Sequence, residues 1–233
     1  MQVLSLFPEC SIAISTKDDD GIVSVAQFGD MLEQAGVHPR AVVIPSHQHS
    51  ISIQEIHLPL SSQEKQVTAD GLMTQEKEVV LAHRLGDCCP IIILDRKKKA
   101  LATLHAGWRG MTLGIVSTGI LSLQATFRSH IDDLWIWIGP CIQKDSYISQ
   151  DVPVQAQFFP WKNHIHVRDD GFHIDLPGFA FDEARRLGID ETHIINDGRD
   201  TYTERATFFS HKRSVDEQNI ADDQRFVVAA WLV

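Results

Sequence analysis

Residues 101–110 read LATLHAGWRG and change from a strand-like to a helix-like pattern at their centre. A predicted strand ends at His105, and Gly107 and Gly110 permit the sharp turn that follows. Beyond Gly110, apolar residues recur at three- and four-residue steps, which predicts a helix of roughly four turns. The first N–H groups of such a helix are unpaired, and Arg109 adds a guanidinium group. The turn is therefore suited to an anion such as phosphate or a carboxylate.

Strand-like segments lie on both sides of this turn. They occupy residues 11–15, 41–45, 50–58, 79–83, 91–95, 100–105, 134–138 and 226–233. Helices are predicted over 26–36 and 177–184, the second beginning after Asp175. Because strands outnumber helices and do not alternate strictly with them, the sequence predicts an α+β fold, a layered sandwich of mixed β-sheets flanked by helices. No repeat or linker interrupts the pattern, so we expect residues 1–233 to form a single domain.

The composition is that of a globular protein, with 43% hydrophobic and 22% charged residues. The longest apolar runs, 91–94 and 226–233, are much shorter than the ~20 residues of a membrane helix, and no secretion signal is evident. We therefore expect a soluble cytoplasmic protein with no membrane partner. The formal net charge is -10, and the basic run 96–99 is predicted to be a solvated hairpin turn. The excess of acidic over basic residues argues against nucleic acid as a partner.

Cysteine and histidine are the residue types that point to chemistry. Four cysteines without framework spacing suggest reduced thiols, and twelve histidines are many for this length. Cys88 precedes a predicted strand, His105 ends another, and His49 lies between two more. Strand-end residues can converge, and one cysteine with two histidines is a reasonable set of zinc ligands. From the residues alone, Cys88 as a core residue remains an alternative, and His47, two residues from His49, could also reach a metal.

Several motifs together resemble one family. They are HAGWRG at 105–110, Asp87-Cys88 with Pro90, ADGLMT at 69–74, GPCI at 139–142, TYTE at 201–204 and FFSHKR at 208–213. Their identity and order resemble the laccase-domain family, also called the multicopper polyphenol oxidase-like family. The resemblance covers roughly residues 45 to 233. It implies a fold of packed sheets flanked by helices.

The resemblance also implies an activity and a set of site residues. Family members are similar to zinc-dependent purine nucleoside phosphorylases that cleave adenosine, inosine and methylthioadenosine with phosphate and also deaminate adenosine. It implies that His49, Cys88 and His105 are the metal ligands and the catalytic centre, and that Arg109 and Arg213 contact substrate. The expected cofactor is Zn²⁺, with copper possible. The expected partners are purine nucleosides and phosphate, and the oligomeric state stays open.

Three positions depart from the family pattern: His47 stands where Gln is usual, Gly86 where Ala is common, and Asp200 where Cys is common. Two other enzyme classes remain as alternatives. One is a copper-dependent polyphenol oxidase, although this chain has only two His-x-His pairs, and the second, His164 and His166, is predicted to lie on a solvated strand face. The other is a hydrolase acting in peptidoglycan editing, with Cys88 as nucleophile and His105 as base.

Overall fold

Two stacked β-sheets, covered by helices on both outer faces, form the body of the protein. The computed structural model describes residues 1–19, 21, 24–60 and 67–233. Within these residues there are three sheets and five α-helices. The helices are α1 (Val25–Gln34), α2 (Trp108–Leu113), α3 (Ile115–Phe127), α4 (Leu176–Arg186) and α5 (His211–Asp216). This arrangement confirms the predicted α+β class and the layered sandwich.

The central sheet has six strands in the order β13-β9-β7-β8-β5-β4. Every residue of β7 and β8 is buried, because the sheet is covered on both sides. Ile91 and Ile93 pack towards α3 and α4, and Ile92 and Leu94 pack towards the second sheet, as the two-residue repeat of a strand requires. The strands are β4 (Ile53–Glu55), β5 (Gly71–Thr74), β7 (Cys89–Asp95), β8 (Ala100–Ala106), β9 (Leu134–Ile138) and β13 (Ile194–Asn196).

The second sheet has five strands in the order β1-β2-β14-β6-β3. Its inner face packs on the central sheet, and its outer face is covered by α1 through the buried residues Phe28 and Leu32. The apolar run at the carboxyl end of the sequence is strand β14, which confirms the predicted strand there. The strands are β1 (Gln2–Phe7), β2 (Cys10–Ile14), β3 (Ala41–Val43), β6 (Val79–Leu85) and β14 (Phe226–Leu232).

A third, smaller sheet is antiparallel, in the order β10-β12-β11. His164 and His166 lie at its edge, and the prediction of a solvated face is wrong for His164. That side chain is 8% exposed and packs against Trp161 and Phe179, because the segment folds over α4. The strands are β10 (Ile148–Ser149), β11 (Ile165–Arg168) and β12 (Gly171–Ile174).

The helical segment after the HAGWRG turn differs from the single helix that was predicted. It is broken into α2 and α3 at Gly114, whose φ of 93° places it in the left-handed region that glycine tolerates. At the next glycine, Gly119, the backbone of α3 approaches the central sheet closely. A Cβ there would lie 2.9 Å from Cδ1 of Leu104. The strand predicted over 50–58 is also shorter than expected, because only Ile53–Glu55 pairs with β5.

The helix α4 begins as the sequence predicts. The carboxylate of Asp175 accepts a hydrogen bond from the N–H of Gly178 at 2.8 Å, and Pro177 lies in the first turn. The basic run 96–99 forms the turn between β7 and β8, where the buried carboxylate of Asp95 accepts the N–H groups of Lys97 and Lys98. Among the described residues, no helix is both long enough and apolar enough to cross a bilayer.

A buried arginine holds the segment before β14 in place. The side chain of Arg213 is 0% exposed, and its guanidinium donates to the carboxylate of Asp222 and to the carbonyls of Thr201, Tyr202 and Phe208. All five of its N–H donors are therefore used inside the protein. The expectation that Arg213 contacts substrate is corrected by this position, because no donor is left to meet a ligand.

We expect Arg213→Met to destabilise the protein by about 3 kcal/mol, because it leaves a buried carboxylate and three carbonyls without their donor. Lys17, which also pairs with Asp222, offsets part of the loss. Urea unfolding measures the difference. Arg205→Gln, which breaks the exposed pair with Glu217, is the control and is expected to change stability little. An equally small change for Arg213→Met would contradict the structural role.

The same ion pair predicts a pH dependence. The hydrogen bonds from Arg213, and then from Lys17, outweigh burial and lower the pKa of Asp222 to about 2. A carboxyl group whose pKa is lower in the folded protein than in the unfolded chain stabilises the fold fully at pH values above its unfolded pKa of about 4. This stabilisation is lost as the pH falls through the folded pKa. The stability difference between wild type and Asp222→Asn should therefore be largest above about pH 4 and shrink towards about pH 2. Unfolding curves recorded between about pH 2 and pH 7 measure this stability difference, with the exposed Asp169→Asn as control. A difference that stays constant with pH would refute the prediction.

Candidate metal centre

Strand register brings two of the proposed ligands together. In the antiparallel pair β7–β8, Cys89 lies opposite Ala106, so Cys88, one residue before β7, lies beside the turn that follows His105. The approach is close: a Cβ on Gly107 would lie 2.9 Å from Sγ of Cys88 and 3.0 Å from Cδ2 of His49. This explains why glycine occupies that place in the motif. In the described part of the chain, the possible ligand atoms of His49, Cys88 and His105 lie within 4.8 Å of one another.

A carboxylate fixes the ring of His105. In the pair β5–β8, Gly71 lies opposite Leu104, which places Asp70 beside His105. The Oδ1 atom of Asp70 accepts a hydrogen bond from Nδ1 of His105 at 2.9 Å. The other ring nitrogen, Nε2, is thereby the one directed to a metal ligand role. Sequence reasoning did not assign this role to Asp70, although the residue lies in the ADGLMT motif.

The same carboxylate shapes the loop that carries His49. Its oxygens accept the N–H groups of Gln48, His49 and Ser50 at 2.7–3.1 Å, and also the Ser50 hydroxyl. These bonds hold His49 at a φ of 56°, a left-handed conformation that costs roughly 1–2 kcal/mol in an ordinary residue. One buried side chain, Asp70, therefore positions two of the three proposed ligands.

The turn before Cys88 is fixed by a second buried carboxylate. Asp87 has a φ of 82°. Its side chain accepts hydrogen bonds from the Thr201 and Ser210 hydroxyls and from the N–H of Lys212. The TYTE and FFSHKR segments, separated from Cys88 by more than 100 residues in sequence, thus hold the cysteine in place.

The charges around the cysteine favour its metal-binding form. Burial raises the pKa of a thiol, but the charges and hydrogen bonds of His105 and His49 outweigh it and lower the pKa of Cys88 to about 6. For His105, burial acts downward, but Cys88 and Asp70 outweigh it and raise the pKa to about 9. The thiolate is the form that binds metals. A thiolate with two imidazoles fits zinc and also suits copper.

His47 lies beside the three proposed ligands, but its ring nitrogen Nε2 faces His83. Its Nε2 is 2.9 Å from Nδ1 of His83, and Nε2 of His83 is 3.0 Å from the Thr103 hydroxyl. The His47 ring stacks on His105 with 4.0 Å between centroids. Burial, followed by the charge of His105, lowers the pKa of His83 to about 3, and burial likewise holds that of His47 far below its usual range. His47 therefore supports the ring of His105 as a neutral group.

The side chains of His49, Cys88 and His105 line a cavity of about 570 Å³ that also has basic and aromatic residues in its lining. Arg109 is exposed and lies 4.6 Å from the ring of Trp108. Arg109 belongs to α2, a helix of only six residues, and lines the cavity. Lys212 lines the cavity, unlike its neighbour Arg213, and Tyr147 and Trp108 add aromatic surface.

Asp200, one of the departures from the family pattern, has a structural role. Its carboxylate accepts hydrogen bonds from the N–H groups of Gln143 and Tyr202 and from the hydroxyls of Ser146 and Thr203. It holds two loops together and does not line the cavity.

The chain is similar to proteins named purine nucleoside phosphorylase and to a protein named adenosine deaminase. A purine nucleoside phosphorylase from Bacteroides thetaiotaomicron is 32% identical over 123 residues, covering 50% of this chain and 46% of that protein. Purine nucleoside phosphorylase YlmD from Geobacillus stearothermophilus is 35% identical over 156 residues, covering 62% and 54%. Adenosine deaminase RL5, from an unknown prokaryotic organism, is 27% identical over 194 residues, covering 77% and 72%. The chain spans about half the length of the first two relatives.

Solved structures share the fold. The hypothetical protein YfiH of Bacillus licheniformis matches with a TM-score of 0.79 at 17% identity and covers 99% of both chains. YlmD of Geobacillus stearothermophilus matches with a TM-score of 0.79 at 21% identity, covering 98% of this chain and 94% of that one. The family model described as multi-copper polyphenol oxidoreductase laccase matches residues 5–225. Because this match spans most of the sequence, the chain belongs to the multi-copper polyphenol oxidoreductase laccase family, as its HAGWRG motif predicts.

Proposed function

We propose that the protein is a zinc-dependent purine nucleoside phosphorylase, acting on adenosine, inosine and methylthioadenosine, that also deaminates adenosine. The observation that carries the proposal is the cluster of His49, Cys88 and His105 in a cavity that Arg109 lines. The names of the relatives, purine nucleoside phosphorylase and adenosine deaminase, support the same substrate class.

Different residues of the chain have separate roles in this reaction. Zinc held by the three ligands would supply Lewis-acid polarisation of an oxygen atom. Arg109 holds the phosphate co-substrate through its planar set of donors. Trp108 offers a face on which the purine can stack. Burial raises the pKa of Tyr147, so its hydroxyl keeps its proton at neutral pH and can donate a hydrogen bond to the leaving purine.

The two alternatives differ in what they require of the structure. A multicopper oxidase needs several copper sites, and one cluster of three metal-ligating side chains is found among the described residues. A Cys/His hydrolase acting in peptidoglycan editing is favoured by one observation, the lowered pKa of Cys88 beside His105. Such a hydrolase would not need the metal, so metal removal separates it from the phosphorylase.

We expect the purified protein to bind about one zinc per chain and to release adenine or hypoxanthine from adenosine or inosine only when phosphate is present. Cys88→Ala should lose both zinc and cleavage, because one of three ligands is gone. Metal analysis and chromatography of the products measure these outcomes. Cys10→Ala, which removes a buried thiol of the second sheet, is the matched control and should keep both.

Two results would count against the proposal. Zinc binding without nucleoside cleavage would preserve the ligand set and reject the phosphorylase. Activity that survives complete chelation of the metal would favour the hydrolase.

Asp70→Asn should weaken zinc binding by about 10–100-fold, because the carboxylate that orients His105 and the His49 loop is lost. Competition with a chromophoric chelator measures the affinity. Asp95→Asn is the matched control: Asp95 is equally buried and accepts two backbone N–H groups, but at the β7–β8 turn. Equal zinc affinities in the two variants would show that Asp70 only stabilises the fold.

A further inference from the structure

One arginine in the cavity has no hydrogen-bond or ion-pair partner among the residues that the structure describes. Arg84, near the end of β6, is partly buried and lines the cavity. Its Nε atom is buried without a hydrogen-bond acceptor, and among the described residues no carboxylate lies within ion-pair distance of its guanidinium. A buried N–H donor without an acceptor is costly, so this arginine is suited to accept an anionic ligand.

Arg225 lies next to this position and brings a second guanidinium group to the cavity, one end of which pairs with the carboxylate of Asp223. It immediately precedes β14, and β14 pairs with β6 so that Val227 lies opposite Arg84. Its hydrogen bonds to Asp223 and Gln224 all run through Nη1. Its side chain crosses Gly86: a Cβ there would lie 3.1 Å from Cδ and 3.3 Å from Nε of Arg225. Glycine at 86, a departure from the family pattern, therefore gives this arginine its space.

The cavity thus has two separate arginine-containing walls. Arg109 lies within the HAGWRG turn after β8 of the central sheet, whereas Arg84 belongs to the second sheet and Arg225 immediately precedes a strand of that sheet. The phosphate co-substrate of a phosphorylase needs one of these walls, and Arg109 lies two residues beyond the Gly107 backbone that touches Cys88. The second wall is left for an anionic group on the substrate itself.

We propose that Arg84 and Arg225 form a second anion subsite, and that purine nucleoside 5′-monophosphates are also substrates and are preferred over the uncharged nucleosides. This inference rests on the proposed phosphorylase function. The 5′ carbon lies on the same face of the ribose ring as the base, whereas inorganic phosphate attacks C1′ from the opposite face, so a 5′-phosphate and the co-substrate can contact different walls of the cavity. A cavity of about 570 Å³ is within the range of small-molecule sites, about 300–1,000 Å³.

The reaction balances without a further reactant. The bond between C1′ and the purine nitrogen breaks, and its electron pair leaves with the purine. An oxygen of inorganic phosphate bonds to C1′, and the proton lost by that phosphate goes to the purine. The products are the free base and ribose 1,5-bisphosphate.

The test compares inosine with inosine 5′-monophosphate on the zinc-loaded full chain at saturating inorganic phosphate. We expect kcat/KM to be at least about tenfold higher for the monophosphate, and Arg84→Gln to lower that ratio at least about tenfold. Arg84→Lys, which keeps the charge, should recover part of it. Arg40→Gln, an exposed arginine outside the cavity, is the control and should leave the ratio as in wild type.

Three results would overturn the inference. The first is equal kcat/KM for the two substrates. The second is an equal loss for both substrates in Arg84→Gln, with a raised KM for inorganic phosphate, which would place Arg84 in the co-substrate site. The third is a loss that follows a fall in melting temperature, which would make its role structural.

Binding separates this inference from the proposed function. If neither substrate is cleaved, calorimetry of the zinc-loaded protein measures its affinities for adenosine and for adenosine 5′-monophosphate, and these affinities test the subsite. Tighter binding of the monophosphate by about tenfold, lost in Arg84→Gln, would support the subsite although the phosphorylase had failed. Equal affinities would refute the subsite.

Discussion

The carboxylate of Asp70 is the interaction on which the site depends. Its burial disfavours the charged form, but hydrogen bonds from His105, Ser50 and Gln48 outweigh burial and hold its pKa well below the usual range. A buried anion that accepts five hydrogen bonds fixes its surroundings, because none of the donors can leave without exposing the charge to an apolar interior. The left-handed backbone at His49 and the orientation of the His105 ring are both consequences of this one group.

The carboxylate of Asp70 reaches His105 only because the strands of the central sheet pair in a fixed register. β8 pairs with β7 on one side and β5 on the other, so the start of β7, the end of β8 and the start of β5 lie at one edge. Each of these strands is buried on both faces, and a shift by one residue would turn every side chain to the opposite face. The packing of two apolar layers therefore sets the position of Cys88 relative to His105 and Asp70. Asp87 connects this edge of the sheet to the segment around Arg213, because its carboxylate accepts hydrogen bonds from Ser210 and Lys212.

The sequence predicts the parts of the site that follow from local pattern. His105 and Cys88 stand at the ends of strongly apolar strands, and such strands are recognisable without knowing their partners. Asp70 is different, since its role depends on pairing between β5 and β8, and it is 35 residues from His105. The family resemblance implied that Arg213 contacts substrate, but neighbours on a short helix point in different directions, and of these two residues only Lys212 lines the cavity. The break at Gly114 was missed because the apolar spacing continues across it.

The cavity is basic although the chain is acidic, and this contrast bears on what it can bind. The formal net charge of -10 produces a field that repels anions at long range. Salt reduces that field beyond about 8 Å at physiological ionic strength, so a bound anion responds mainly to the groups that line the cavity. Those groups include Arg84, Arg109 and Arg225, and the one carboxylate among the lining residues, Asp87, already accepts three hydrogen bonds. Selection of an anionic substrate is therefore local, set by the guanidinium groups that line the cavity and not by the overall charge of the protein.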